Sequence, residues 1–235
     1  MHGAYTLVFL VLACAFCFAA SWSVGWPALL FAYTAISFSL VALAYAGVGP
    51  LLFCKRASGQ QTALSWLLFC PYFLVNSLIF QLHLLASREQ AWAEVIPNLF
   101  FGRRLSNHEA STIMDHGWVA VFDLAPEFGE TPVLRSSPGY RSFPILDATA
   151  PSEAQFDDLL HRLSATLATG PVYVHCALGH GRTGCVVVAY LLSVGMARSV
   201  RDGVQLLQSL RPGVRLNRSQ HRALRNFQLR LPNVG

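Results

Sequence analysis

Between Ala4 and Ala86 the only Lys, Arg, Asp or Glu side chains are Lys55 and Arg56. A water-soluble domain draws about a quarter of its residues from these four types, whereas the whole 235-residue chain reaches 12% charged and 54% hydrophobic. The deficit is confined to the front, because charges return at ordinary density from Arg88 onward. The chain therefore divides into an α-helical membrane region, residues 1–90, and a soluble domain, residues 94–231. Three apolar runs occupy residues 4–20, 24–46 and 63–86, and a membrane-crossing helix needs about 20 residues. The first run lacks a positive n-region and a second run follows at once, so it reads as an uncleaved span rather than a signal peptide. Gly47-Val48-Gly49-Pro50 should end the second, and Trp22 and Trp26 fall where an interfacial aromatic belt would put them. The third carries Pro71, Asn76, Gln81 and His83. Lys55 and Arg56 precede it and Arg88, Arg103 and Arg104 follow, so a single crossing would put one basic cluster on the unfavoured side. An interfacial or re-entrant third segment is the expectation, with a third span as the alternative, its polar groups then hydrogen-bonded between helices. This predicts a multi-pass integral membrane protein whose soluble domain is cytoplasmic. A transporter is excluded, since two or three spans without intramembrane charge offer no substrate path.

Of six cysteines, Cys14, Cys17, Cys54 and Cys70 lie in or beside apolar runs and read as small buried hydrophobes. Cys14 and Cys17 form a C-x-x-C pair without the second pair a zinc site needs.

The second constraint is local. Val172-Tyr173-Val174-His175-Cys176 is a β-branched and aromatic run suited to a buried strand. Ala177-Leu178-Gly179-His180-Gly181-Arg182 turns, and Thr183-Gly184-Cys185 leads into a buried apolar helix. A cysteine thus sits where a strand stops and a helix is about to begin. Backbone N–H groups of Ala177, Leu178, Gly179, His180, Gly181 and Arg182 have no intrahelical partner there and can converge on an anion, with the helix dipole adding positive potential. The same field favours a Cys176 thiolate, and Arg182 can offer a planar fork of donors to two phosphate oxygens. The plain alternative is a structural cysteine beside a helix start. Cys185 reads as helix packing, with a resolving thiol as its alternative.

His-Cys, five intervening residues and Arg-Thr resemble the signature loop of the cysteine-dependent phosphatases, specifically the dual-specificity class. The resemblance spans about residues 94–231. It takes in Ile96-Pro97-Asn98-Leu99-Phe100-Phe101-Gly102 at one end and Arg211-Pro212-Gly213-Val214-Arg215-Leu216-Asn217 at the other. It implies an α/β fold with a central, mostly parallel sheet flanked by helices, in keeping with the alternation of strand and helix patterns along this region. Expected strands are residues 118–124, 141–146 and 172–176, with a strand or hairpin over 95–102. Expected helices run from about Ser106 to His116, Ala154 to Ala168, Val200 to Leu210 and Ser219 to Leu229, and residues 125–140 read as a loop.

Displacing an alkoxide or phenoxide from phosphorus calls for an acid. Asp147 ends the Phe143-Pro144-Ile145-Leu146 run on the same rim of the sheet, and the family's general acid occupies the equivalent loop. Asp123 is the rival, better suited to bonding nearby backbone amides. The implied roles are Cys176 as the nucleophile forming a phosphocysteine, Asp147 as acid and then base, and Arg182 with the loop amides as phosphate ligands. Thr183 would donate to the cysteine sulfur, and His175 would orient the loop. No metal or other cofactor is called for, because the loop supplies the positive charge. Partners implied are a phosphoprotein or phospholipid substrate and the membrane, not nucleic acid, and no oligomeric state is assigned. His180 is the only other cation-capable side chain in the loop, whereas family members acting on highly charged lipid headgroups are more basic there. Dual-specificity protein phosphatase is the favoured reading, a phosphatidylglycerophosphate-type lipid phosphatase the alternative, and a non-catalytic phosphate-binding module the second alternative.

Overall fold

The structure is a computed structural model and describes residues 2–114, 117 and 120–231. It resolves into two compact units. One comprises residues 1–56, 60–87 and 126–129, the other residues 57–59, 88–125 and 130–235.

The first unit is built on three helices, α1 (His2–Ser21), α2 (Trp26–Leu43) and α3 (Ala63–Ala86). All three are long and apolar enough to cross a membrane. Their seam is aromatic: Phe9 stacks on Phe38 and Tyr45, and Phe53 on Tyr72. The outer faces leave Leu7, Leu29, Leu67 and Leu78 exposed, a distribution costly in water and neutral among lipid tails. Trp22 and Trp26 are exposed at the turn between α1 and α2.

Helix α3 is one unbroken 24-residue helix, capped by Thr62, whose side chain accepts the Ser65 N–H. Pro71 lies inside it and removes the N–H that would have bonded the Leu67 carbonyl. Tyr33 Oη donates to that same carbonyl at 2.7 Å, so the polar group freed in an apolar setting is satisfied by the neighbouring helix. Asn76 instead donates to Tyr72 O within its own helix at 3.1 Å.

The second unit holds a five-stranded sheet in the order β1-β2-β5-β3-β4, with β1 Trp92–Ile96, β2 Leu99–Arg103, β3 Ala120–Asp123, β4 Gly139–Ser142 and β5 Val172–Cys176. Strands β1 and β2 form an antiparallel hairpin turning at Pro97 and Asn98, where Asn98 takes φ 69°. The β2-β5, β3-β5 and β3-β4 pairs are parallel. β5 is therefore central and buried along its whole length, as its β-branched and aromatic composition requires.

Helices α4 (Asn107–Met114), α5 (Pro132–Arg135), α6 (Glu153–Leu167), α7 (Gly181–Ser193), α8 (Val200–Leu210) and α9 (Arg218–Arg230) complete the unit. The larger core gathers Val172, Val174, Phe101 and Phe122 from the sheet with Phe156, Leu163, Val187 and Leu224 from the helices. On the opposite face Phe100, Val121 and Tyr173 pack with Ala110 and Leu134. Capping boxes at Ser152/Gln155 and Asn217/Gln220 fix the starts of α6 and α9.

The sequence expected a strand over residues 141–146, but β4 is Gly139–Ser142. Pro144 has no N–H to continue a ladder. The chain still follows β3, through Phe143 N donating to Asp123 O and Ile145 N to Leu124 O. The interval 125–140, expected as a loop, contains the short helix α5. The expected helix end at His116 and strand start at Trp118 and Val119 lie outside the described residues.

Candidate active site

Strand β5 delivers Cys176 to the carboxyl edge of the sheet, where its side chain is 3% exposed. The next residues curl before α7 begins, with Gly179 at φ 74°. A Cβ on Gly179 would overlap an Arg211 nitrogen and the Gly102 backbone, so glycine is required there by both space and conformation.

Carbonyl partners explain which way the loop faces. Arg104 N donates to Ala177 O at 2.9 Å, and the Arg211 guanidinium donates to Leu178 O and Gly179 O at 3.3 Å each. In a trans peptide the carbonyl and the following N–H point in opposite directions. Three outward-held carbonyls thus turn the Leu178, Gly179 and His180 amides to the other side. Gly179 N donates to Cys176 Sγ at 3.3 Å, so the inner side is the side of the sulfur.

Arg182, in the first turn of α7, is 1% exposed. Its Nη1 donates to Ile145 O at 3.0 Å, and its Nη2 lies 3.2 Å from Asp147 Oδ1. The structure therefore brings Asp147 into direct contact with Arg182, at the far end of the loop that Cys176 begins. Asp147 itself is 61% exposed. Its loop is tied from behind: Asn217 Nδ2 and Ser219 Oγ donate to Ala148 O, and Gln220 Nε2 donates to Thr149 O. Gln220 also lies against Gly181, where a Cβ would press on its amide.

Thr183 Oγ1 is buried and makes no hydrogen bond among the described residues, so the expected bond to the cysteine sulfur is not made here. Asp123 is buried, accepting the Ala125 N–H at 2.9 Å and the Tyr140 hydroxyl at 2.6 Å. As the sequence suggested, it bonds a nearby amide.

Residues 122–229 match the family model described as "Swiss Army Knife protein, DSP-PTPase phosphatase domain". This region is a dual-specificity phosphatase domain. Solved structures show the same fold. The phosphatase domain is similar to Tk-PTP in its active form, at 24% identity and a TM-score of 0.55, covering 60% of this chain and 98% of that one. It is similar to PTPMT1 solved in complex with PI(5)P, at 17% identity and a TM-score of 0.52, covering 60% and 96%. It is also similar to the human tyrosine phosphatase-like serine/threonine/tyrosine-interacting protein, at 20% identity and a TM-score of 0.53, covering 59% and 95%. By this domain the chain is a phosphoric monoester hydrolase.

Behind the phosphatase loop lies a buried polar network that sequence reasoning missed. His175 Nε2 lies 2.9 Å from Glu130 Oε2, and its Nδ1 lies 3.3 Å from Cys176 O. Thr131 N and Oγ1 donate to the other Glu130 oxygen. Burial alone would lower the His175 pKa, but the charges of Glu130 and Asp123 and the bond to Glu130 raise it. Burial, followed by Asp123, pushes the Tyr140 hydroxyl up, so that it stays protonated and donates to Asp123. Burial likewise raises the Cys185 thiol, which favours its reading as packing over a resolving thiol. No local motif marks Glu130, which lies in the interval expected as a loop.

Proposed function

We propose that the chain is a membrane-anchored cysteine phosphatase that hydrolyses phosphate monoesters through a phosphocysteine, acting on phosphorylated proteins in the dual-specificity manner. The observation that carries the reading is the loop from Cys176 to Arg182, with three carbonyls held outward, an amide on the sulfur and a buried guanidinium beside it. An inner rim of N–H groups and one fixed cation complements a phosphoryl group whose charge spreads over its equatorial oxygens.

In the proposed cycle the Cys176 thiolate attacks phosphorus. The bond to the leaving oxygen breaks as protonated Asp147 gives that oxygen its proton. Water then attacks the phosphocysteine while the Asp147 carboxylate takes a proton from it, the P–S bond breaks, and inorganic phosphate leaves with the thiolate restored. Phosphate bound to Arg182 would replace the Asp147 contact and free the carboxyl for this work. Thr183, whose hydroxyl has no partner in the described structure, would donate to the departing sulfur.

A second reading is a lipid phosphatase of the phosphatidylglycerophosphate type. The three apolar helices would hold the domain at a lipid surface, and PTPMT1, one of the similar folds, was solved with PI(5)P. Phosphate release by the full-length chain in vesicles, with phosphotyrosine peptide and phosphatidylglycerophosphate offered separately, distinguishes them. Peptide turnover lost in Cys176→Ser supports the protein reading, and turnover of the lipid alone supports the second. No release of either, with inorganic phosphate still bound, would leave only a binding module.

A further inference from the structure

Glu89 lies three residues after α3 and outside residues 122–229, the part matched by the phosphatase family. Its side chain nevertheless reaches the phosphate loop. Glu89 Oε2 accepts from Arg211 Nη2 at 2.7 Å and lies 2.6 Å from His180 Nε2, while Oε1 accepts from Gly213 N at 2.8 Å. One carboxylate thus holds three separate groups around the outside of the loop.

Those groups matter because of what Arg211 does. Arg211 is 1% exposed, and Glu89 is its acidic partner across a salt bridge. Its fork grips Leu178 O and Gly179 O, the carbonyls whose outward hold turns the Gly179 and His180 amides inward. A buried guanidinium without its carboxylate would shift toward other acceptors or water, and its grip on both carbonyls would loosen. Space confirms how closely the parts fit: a Cβ on Gly213 would run into both the His180 ring and Glu89. Glu89 also occupies His180, the only cation-capable side chain between Cys176 and Arg182. Burial works against ionisation of Glu89, but the bonds from His180 and Gly213 and the charge of Arg211 outweigh it and hold the carboxyl below its usual range.

We propose that Glu89 is a positioning residue for the phosphate loop, keeping its amides aimed at the substrate phosphoryl group through Arg211 and His180. This rests on the phosphatase reading of the Cys176 loop. It also means that the segment just after α3 is a working part of the active site.

The test compares the full-length wild type with Glu89→Gln and Arg211→Lys, using the inhibition constant of inorganic phosphate alongside kcat and KM for a phosphotyrosine peptide. That constant does not depend on how much of a sample is active, so a loss of fold alone leaves it unmoved. Glu109→Gln, which breaks the Arg103 pair at the start of α4, serves as the control for losing a carboxylate of this domain. Misaimed amides should weaken phosphate binding about 10-fold and lower kcat/KM by about 10- to 100-fold in Glu89→Gln, short of the roughly 10²- to 10³-fold cost of deleting an oxyanion donor. Arg211→Lys, which keeps the charge and loses the fork, should weaken phosphate binding in the same direction and keeps the question open to test if Glu89→Gln does not fold. Phosphate inhibition as tight as in wild type in the folded variants, with Cys176→Ser inactive, would overturn this inference and leave the phosphatase reading intact. Turnover undiminished in Cys176→Ser would overturn the reading beneath it.

Discussion

The two loops that meet at Arg182 are built in opposite ways. The phosphate loop is fixed on every side: its carbonyls are held by Arg104 and Arg211, Gly179 has no room for a side chain, and Cys176 and Arg182 are nearly inaccessible. The Asp147 loop is tied from behind, through Ala148 and Thr149 by the first turn of α9, and Asp147 meets Arg182 while standing 61% exposed at its tip. A phosphate cradle gains from amides that need no reorganisation when charge develops. An acid that serves first a leaving group and then a water gains from freedom to adjust. Burial and exposure are thus divided between two neighbouring loops, and substitutions should affect them differently.

The largest effect is expected at the rigid loop. Cys176→Ser should lower kcat by about 10⁴-fold or more, measured as phosphate release. Arg182→Lys should cost about 10²- to 10³-fold, because an ammonium cannot serve a phosphate and the Ile145 carbonyl with one planar fork. Asp147→Asn should cost about 10²-fold or more with alkyl or phenyl leaving groups. That loss should shrink with an activated phenol, while the thermal midpoint stays where it was, as befits an exposed side chain. A midpoint that drops in Asp147→Asn would break the contrast between the loops.

Stability predictions sharpen the same contrast from behind the rigid loop. Glu130→Gln leaves His175 without its buried partner and should cost about 3 kcal/mol in denaturant unfolding. Because the folded His175 pKa is raised, the stability it contributes is complete below about pH 6.5, the usual imidazole value. It fades as pH rises through the raised value. Glu130→Gln should therefore flatten the fall in stability on the alkaline side. The smallest effect belongs to the tether of the Asp147 loop. Asn217→Ala removes both a helix cap and the bond to Ala148, and should cost about 1 kcal/mol with a several-fold loss of kcat.

What the sequence reveals follows the distance between cooperating residues. Cys176, Arg182 and the loop amides lie within one short segment, so their pattern is visible by inspection. Asp147 is found through its place at the end of an apolar run, one helix before β5. Glu89 and Arg211 are 122 positions apart, and nothing local marks either as a partner of the other. Glu130 is hidden for the same reason, being useful only because β3 and β5 are neighbours. The helices of the first unit are legible from hydropathy alone, yet the bond from Tyr33 to the carbonyl freed by Pro71 is not, since it depends on which faces of α2 and α3 meet. Strand β4 lies earlier than the apolar residues 143–146 suggest, because Pro144 prevents a regular ladder there.

The central claim is that Cys176 carries the phosphoryl group between two chemical steps. Its most direct test is a rapid acid quench of full-length protein during turnover, followed by peptide mapping by mass. The account predicts one phosphoryl group on the peptide containing Cys176, absent in Cys176→Ser and accumulating in any Asp147 variant slowed more in the second step than the first. Steady turnover with no phosphoryl group ever found on Cys176, and undiminished in Cys176→Ser, would contradict it.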